Sequence, residues 1–161
     1  MNFYYPNFQN DMWRILGMVF YGDKDHFLDD SGKAFSEEKA RLFCMEKKIG
    51  IGDTAEEVVR LNDNASDKFL QVITPFRPGE ILARIPQCRA FIVTGQKAMD
   101  TLQSVIPFPS PKVGAFTDIN HHGRNLRIYR MPSSSRAYPK PLDQKARDYH
   151  TMFRELGMID L

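Results

Sequence analysis

Cysteine is nearly absent from this chain. Cys44 and Cys88 are the only two in 161 residues, and they stand far apart. Two thiols cannot furnish a four-cysteine zinc or iron–sulfur site, so they read as reduced, partly buried side chains. Long hydrophobic runs are missing as well: none approaches the roughly 18 apolar residues of a membrane span. The start, Met1-Asn2-Phe3-Tyr4-Tyr5, has neither a basic n-region nor an apolar h-region, which predicts a cytoplasmic address without a membrane partner. An excess of one charge sign is lacking too. Lys and Arg number 22 against 20 Asp and Glu, a net +2, so any basic surface must come from local arrangement. His121 and His122 are adjacent in an expected turn, where their side chains diverge and no third ligand is evident, and no metal or other cofactor is expected. What remains, 42% hydrophobic and 26% charged residues without repeats or low-complexity linkers, is the make-up of one soluble globular domain over residues 1–161.

Apolar periodicity predicts a helix over Asn10 to Phe20, with Met12, Ile15, Leu16, Val19 and Phe20 inward and Gly22 as its stop. Asp23 to Lys33 reads as a charged loop. Ser36 caps a second helix that runs to about Lys47 and buries Ala40, Phe43 and Cys44. Ile49 to Ile51 reads as a short strand. Asp53-Thr54-Ala55-Glu56 has capping-box spacing, and Val58, Val59 and Leu61 give the segment after it an apolar side. Asn62 to Asp67 is a polar loop, and Pro78 to Ile85 a helix with proline in its first turn. Ala90 to Val93 reads as a buried strand entering Gly95 and a helix from Gln96 to Val105, a βα unit. Pro107, Pro109 and Pro111 force a loop, Val113 to Ile119 is a strand, 121–125 a turn and Leu126 to Tyr129 a strand. The last helix carries Leu142, Ala146, Tyr149, Phe153 and Leu156 at helical spacing and ends at Gly157. This alternation implies an α/β fold with a mainly parallel sheet covered on both faces. Ligands in such sheets bind beyond the carboxyl ends of the strands, where Asp53, Gly95 and the loop after Tyr129 are expected.

That loop, Arg130-Met131-Pro132-Ser133-Ser134-Ser135-Arg136-Ala137-Tyr138, is the most informative stretch. Pro132 stiffens it, three serines offer hydroxyls and successive amides, and Arg136 brings a planar cation suited to phosphate. The alternative is a surface turn rich in serine for local reasons. The stretch resembles the last motif of the uracil-DNA glycosylase superfamily. The resemblance is strongest to its hypoxanthine (deoxyinosine) glycosylase branch, where a strand ends in a Pro-Ser-x-Ser loop followed by alanine. Tyr4-Tyr5-Pro6-Asn7-Phe8-Gln9-Asn10-Asp11-Met12-Trp13 is similar to that branch's paired tyrosines followed by Asn-x-Phe-Trp, with Met12 in place of Phe. Gly50-Ile51-Gly52-Asp53 and Thr94-Gly95-Gln96-Lys97-Ala98 resemble two motifs between, and the four together span nearly the whole chain.

The resemblance implies a three-layer α/β/α DNA glycosylase that flips a deaminated base from DNA and hydrolyses its N-glycosidic bond. Tyr5 falls where a base-stacking aromatic belongs; it reads equally as a core aromatic beside Trp13 or Phe8. Asn10 takes the catalytic position, holding water or polarising the base, since an amide is no strong base. Asp53 stands where the family's base-reading Asn lies. As an acceptor-only carboxylate it favours the N–H edge of hypoxanthine, xanthine or uracil over the bare ring nitrogen of adenine or cytosine. Both Asn10 and Asp53 also read as plain helix N-caps. Lys97, at a strand-to-helix junction, is a phosphate contact or a solvated lysine. Ser133, Ser134, Ser135 and Arg136 correspond to the loop that enters the minor groove of DNA. Met131 replaces the Asn or His of other branches, which favours hypoxanthine over uracil. The cysteine count excludes the family's iron–sulfur branches.

The chain joins the family pattern in mid-motif, after its first strand and Gly-x-x-Pro loop. Either Met1 is an internal methionine, with a true start roughly 30 residues upstream, or the sheet lacks a strand and leaves backbone unpaired. The expectation is a monomeric, metal-free glycosylase acting on DNA. Its alternatives are a catalytically inert nucleic-acid-binding relative and a nucleotide-binding enzyme using the same cleft.

Overall fold

The computed structural model describes residues 1–52, 55–60, 70–75 and 78–159. In chain order these form α1 (Met12–Tyr21), α2 (Glu37–Lys47), β1 (Ala55–Arg60), β2 (Leu70–Pro75), α3 (Pro78–Arg84), β3 (Ala90–Thr94), α4 (Gln96–Val105), β4 (Phe116–His121), β5 (Arg124–Met131) and α5 (Leu142–Glu155). The chain divides into two compact units, Met1–Gly52 with Pro132–Leu161, and Asp53–Met131. No described helix is long and apolar enough to cross a membrane.

The first unit is helical, and α1 packs on α5. Its core is a chain of aromatic contacts: Trp13 to Phe27 at 5.0 Å, Phe27 to Phe43 at 5.2 Å, Phe43 to Phe20 at 5.0 Å and Phe20 to Phe153 at 4.9 Å between ring centroids. Each such pair adds roughly 0.5–1.5 kcal/mol beyond its buried area. The chain of rings ties α1, α2, α5 and the intervening loop together. Trp13 is fully buried, and its indole Nε1 donates to the Tyr4 carbonyl (3.0 Å), so the polar tip is satisfied where the ring is dry. Ser36 caps α2 by accepting from Lys39 N (3.2 Å), and Gly22 ends α1 in the left-handed conformation that its missing Cβ permits (φ 66°).

The second unit holds two sheets. β1 pairs antiparallel with β2, and a three-stranded sheet has the order β3-β5-β4. Val93 and Ile128 from that sheet form one apolar cluster with Met99, Leu102 and Ile106, so the buried side of α4 closes over the strands. Arg124 clasps the end of α3, donating to the carbonyls of Leu82 (2.9 Å), Ile85 (2.8 Å) and Cys88 (2.9 Å).

The sheet is mixed rather than mainly parallel. β3 and β5 run parallel, whereas β4 and β5 are antiparallel. The reason is local: His122 and Gly123, both at positive φ (52° and 82°), make a two-residue turn, and so short a connection permits only a hairpin. The expected turn over 121–125 is thus shorter, with Leu126 to Tyr129 only part of β5. The histidine rings do not diverge either; the left-handed His122 brings their centroids to 4.3 Å. Residues 55–60 are a strand where capping-box spacing suggested a helix, and β2 was not foreseen. Ile49 to Ile51 is irregular, following the left-handed Lys48 that closes α2 (φ 57°). Asp53, Thr54 and the expected loop Asn62 to Asp67 lie outside the described residues.

Gly17 tests the packing of α1. A Cβ there would press into the backbone carbonyl oxygen of Asp23, whose own N–H donates to Gly17 O (3.2 Å). Alanine is the better helix former by about 1 kcal/mol, yet Gly17→Ala is expected to lower the melting temperature by several degrees. Gly22→Ala, which meets open space and only backbone strain of about 1–2 kcal/mol, is expected to cost less. A Gly17→Ala variant as stable as the parent would mean the Asp23 carbonyl moves aside freely.

Candidate nucleic-acid interface

Two segments 125 residues apart are stitched together in the first unit. Asn10 and Ser135 form an antiparallel bridge. Asp11 N donates to Ser134 O (2.7 Å), and Arg136 N donates to Gln9 O (3.3 Å). The Pro132 carbonyl accepts from the buried Tyr149 hydroxyl (3.3 Å). Within the loop, Ser133 Oγ accepts from Ser135 N and Ser135 Oγ accepts from Ala137 N, both at 3.2 Å, while Tyr138 N donates to Ser135 O (3.1 Å). The expected row of amides open to phosphate is shortened at its C-terminal end. The N–H groups of 135 to 138 are spent inside the protein, those of Ser135 and Ala137 on serine hydroxyls that close local turns. Serine O–H groups and Arg136 are available to an anion.

Beneath the stitch lies a buried carboxylate that the sequence reading passed over. Asp11 Oδ1 accepts from Arg14 Nη1 (3.3 Å) and from Arg136 Nε (3.2 Å), and its Oδ2 stands 3.7 Å from Lys145 Nζ. The Asp11, Arg14 and Lys145 side chains are only 8%, 6% and 1% exposed, whereas Arg136 is 46% exposed. Arg14 also donates to the carbonyls of Phe8 (2.8 Å) and Asn10 (3.2 Å), and its guanidinium carbon lies 4.5 Å from the Phe8 ring centroid and 5.1 Å from that of Phe35. Lys145 Nζ donates to Ser135 O (2.9 Å). Burial pulls both cations below their ordinary values, and Asp11 partly offsets this. Three cations around one carboxylate leave the region positive.

Asn10 is not the N-cap. The helix begins two residues later with Asp11 in the cap position, its carboxylate making no cap bond because it serves the ion cluster. The Asn10 Oδ1 accepts from Met12 N instead (2.9 Å), which leaves the Nδ2 side of the amide as the group able to donate outward. Tyr5 is half-buried at φ 54°, an uncommon conformation for an aromatic residue and one that costs energy unless its surroundings impose it. Lys97 is half-buried in the first turn of α4, in the second unit, after Gly95, whose φ of 87° is left-handed. Asp53 lies outside the described residues. The structure thus brings Asn10, Ser134, Ser135 and Arg136 together and adds Asp11, Arg14 and Lys145. Among the described residues no group of three or more His, Cys, Asp and Glu could hold a metal ion.

Two outcomes follow from this geometry. Lys145→Met strips a buried cation from Asp11 and leaves the Ser135 carbonyl with Tyr138 N as its remaining donor. Removing one partner of a buried pair costs about 3–5 kcal/mol, so the melting temperature is expected to fall by on the order of 10 °C. Burial pushes the Tyr149 hydroxyl well above its ordinary value, with Tyr5 and Asp148 adding to the rise. The folded chain then keeps a proton that the unfolded chain loses near pH 10. This contribution is whole below about pH 10 and is lost as pH climbs toward the folded value. Urea melts between pH 9 and pH 11 are expected to show the parent losing stability faster than Tyr149→Phe, and parallel curves would contradict the assignment.

Compared with protein-family models, with curated proteins and with solved structures, the chain matches none.

Proposed function

We propose that this protein is a DNA glycosylase that removes deaminated bases, hypoxanthine foremost, by hydrolysing the N-glycosidic bond during base excision repair. The observation that carries the reading is the stitch between Asn10 and Ser135. The N-terminal segment with Tyr5 and Asn10 and the C-terminal loop Ser133 to Arg136 are the two segments that resemble the hypoxanthine branch most closely. Their adjacency is what a shared site requires. In this reading the fold is the three-layer α/β/α arrangement of the uracil-DNA glycosylase superfamily, and the protein works as a cytoplasmic monomer.

The chemistry follows from the groups available. Hydrolysis places water on the sugar C1′ as the base leaves with the bonding electrons, so the enzyme must stabilise charge on the departing base. Asn10 Nδ2 donates toward a base carbonyl, while its Oδ1, already bonded to Met12 N, fixes the amide orientation. Tyr5 offers a ring for stacking from a constrained backbone. Arg136 holds DNA as a clamp rather than as a free wedge, because Asp11 and Gln9 already restrain it. The resemblance assigns recognition of the N–H edge to Asp53 and a phosphate contact to Lys97.

A second reading, an inert nucleic-acid-binding relative, is favoured by one feature: the Asn10 Oδ1 and the N–H groups of 135 to 138 are satisfied internally. A base-release assay separates the two. Oligonucleotides carrying hypoxanthine, uracil or xanthine, single- and double-stranded, are incubated with the protein and cleaved by alkali at abasic sites. Release of hypoxanthine is expected, reduced about 100-fold or more in Asn10→Ala, which loses only a local turn worth about 1 kcal/mol. Salt-sensitive DNA binding without release from any of these substrates would establish the inert reading.

A further inference from the structure

We infer that Asp11 is a positioning residue whose carboxylate aims the Arg136 guanidinium at a phosphate group, an inference that rests on the nucleic-acid reading above. Arg136 projects from a loop and is nearly half exposed, and an arginine in that setting ordinarily samples many rotamers. Here it is held at two points on different sides of the plane's rim: Nε donates to Asp11 Oδ1 (3.2 Å) and Nη1 to Gln9 Oε1 (3.3 Å). Its Nη2 has no hydrogen-bond partner among the described residues. A guanidinium pinned at two nitrogens has already lost the freedom that phosphate binding would otherwise take away.

The charge balance points the same way. Asp11 is shared by Arg14, Lys145 and Arg136. The first two are buried and hold backbone carbonyls as well, namely Phe8 O, Asn10 O and Ser135 O. Asp25 also acts on Arg14. Arg136 is the member of the cluster that reaches solvent, so the unneutralised charge is presented through it. A phosphate oxygen accepting from Nη2 would complete the balance, and the Ser133 and Ser135 hydroxyls of the same loop, which accept from its amides, retain their own hydrogens to donate.

The test uses the full chain in two measurements. Fluorescence anisotropy with a labelled oligonucleotide at several salt concentrations compares the parent with Arg136→Gln, Arg136→Lys, Asp11→Ala and the Asp11→Ala/Arg136→Gln double variant, each shown folded by its melt. NMR follows the Arg136 Nε–H signal during titration with inorganic phosphate. Arg136→Gln is expected to weaken binding about three- to tenfold and to reduce the salt slope by about 0.7–0.9, the share of one phosphate contact. Asp11→Ala is expected to weaken binding to a similar degree although it removes a negative charge, and to add nothing in the Arg136→Gln background. Phosphate is expected to shift the Arg136 signal in the parent and not in Asp11→Ala.

Oligonucleotide binding by Asp11→Ala as tight as the parent's or tighter would overturn the inference, since deleting a repulsive charge would then be its whole effect. Additive losses in the double variant, or an Arg136 signal that phosphate leaves unmoved, would overturn it as well. Should Asp11→Ala fail to fold, Arg136→Lys carries the test. It keeps the charge without the Nε–H that Asp11 holds, and parental affinity in that variant sinks the idea. A phosphate-induced shift that depends on Asp11, in a protein that binds no oligonucleotide, would keep the anion seat and remove the nucleic-acid reading.

Discussion

A carboxylate withdrawn from water must be met by cations or by donors, and nearly everything about the helical unit is arranged around meeting Asp11. Its partners come from three places: Arg14 one turn on in α1, Arg136 in the loop after β5, and Lys145 in α5. Neither Arg14 nor Lys145 can shift far without leaving a charge buried and unpaired, which costs about 3–5 kcal/mol. The ion cluster therefore sets the register between the N-terminal segment and the C-terminal loop. The backbone stitch of Asn10 with Ser135 and of Asp11 with Ser134 follows from that register.

Aromatic rings finish the work that charge begins. Arg14 lies over Phe8 and Phe35, so its flat face is covered by apolar surface while its edge serves carbonyls and Asp11. Such an arrangement suits arginine and not lysine, whose compact ammonium keeps its hydration more tightly. The chain of rings from Trp13 through Phe43 and Phe20 to Phe153 holds the helices whose residues supply the cluster. Dry packing and paired charge thus act on the same helix through neighbouring residues, Trp13 and Arg14.

Much of the secondary structure was legible because its signals are local. Ser36 before Glu37 and Glu38, Gly22 after an apolar stripe, and Gly95 between a hydrophobic strand and an amphipathic helix each fix a boundary through neighbours only a few residues away. Residues 55–60 misled because capping-box spacing is also local, whereas their strand depends on a partner at 70–75. The site divides in the same way. Asn10 and the serine loop were visible as motifs, but the role of Asp11 depends on Arg136, 125 positions on, and nothing beside it in the chain announces that. Lys145 carried a signal that went unread. It stands three residues after Leu142 and four before Tyr149, inside the apolar stripe of α5, where a lysine implies a buried partner.

The helical unit is discontinuous, with Asp53–Met131 inserted between its halves, and this has a consequence for how the chain is made. Residues 1–52 wait for residues 132–161, which are made later. At roughly 5–20 residues per second, Asp11 leaves the ribosome on the order of ten seconds before Arg136 and Lys145 exist. Over that interval Asp11 has Arg14 as a partner but lacks Arg136 and Lys145, and the aromatic core lacks Phe153, while the inserted unit has already been completed in sequence. The polarity of synthesis thus lets the inserted sheets fold before the helical unit can, and makes the arrival of Pro132–Leu161 the event that closes the helical unit.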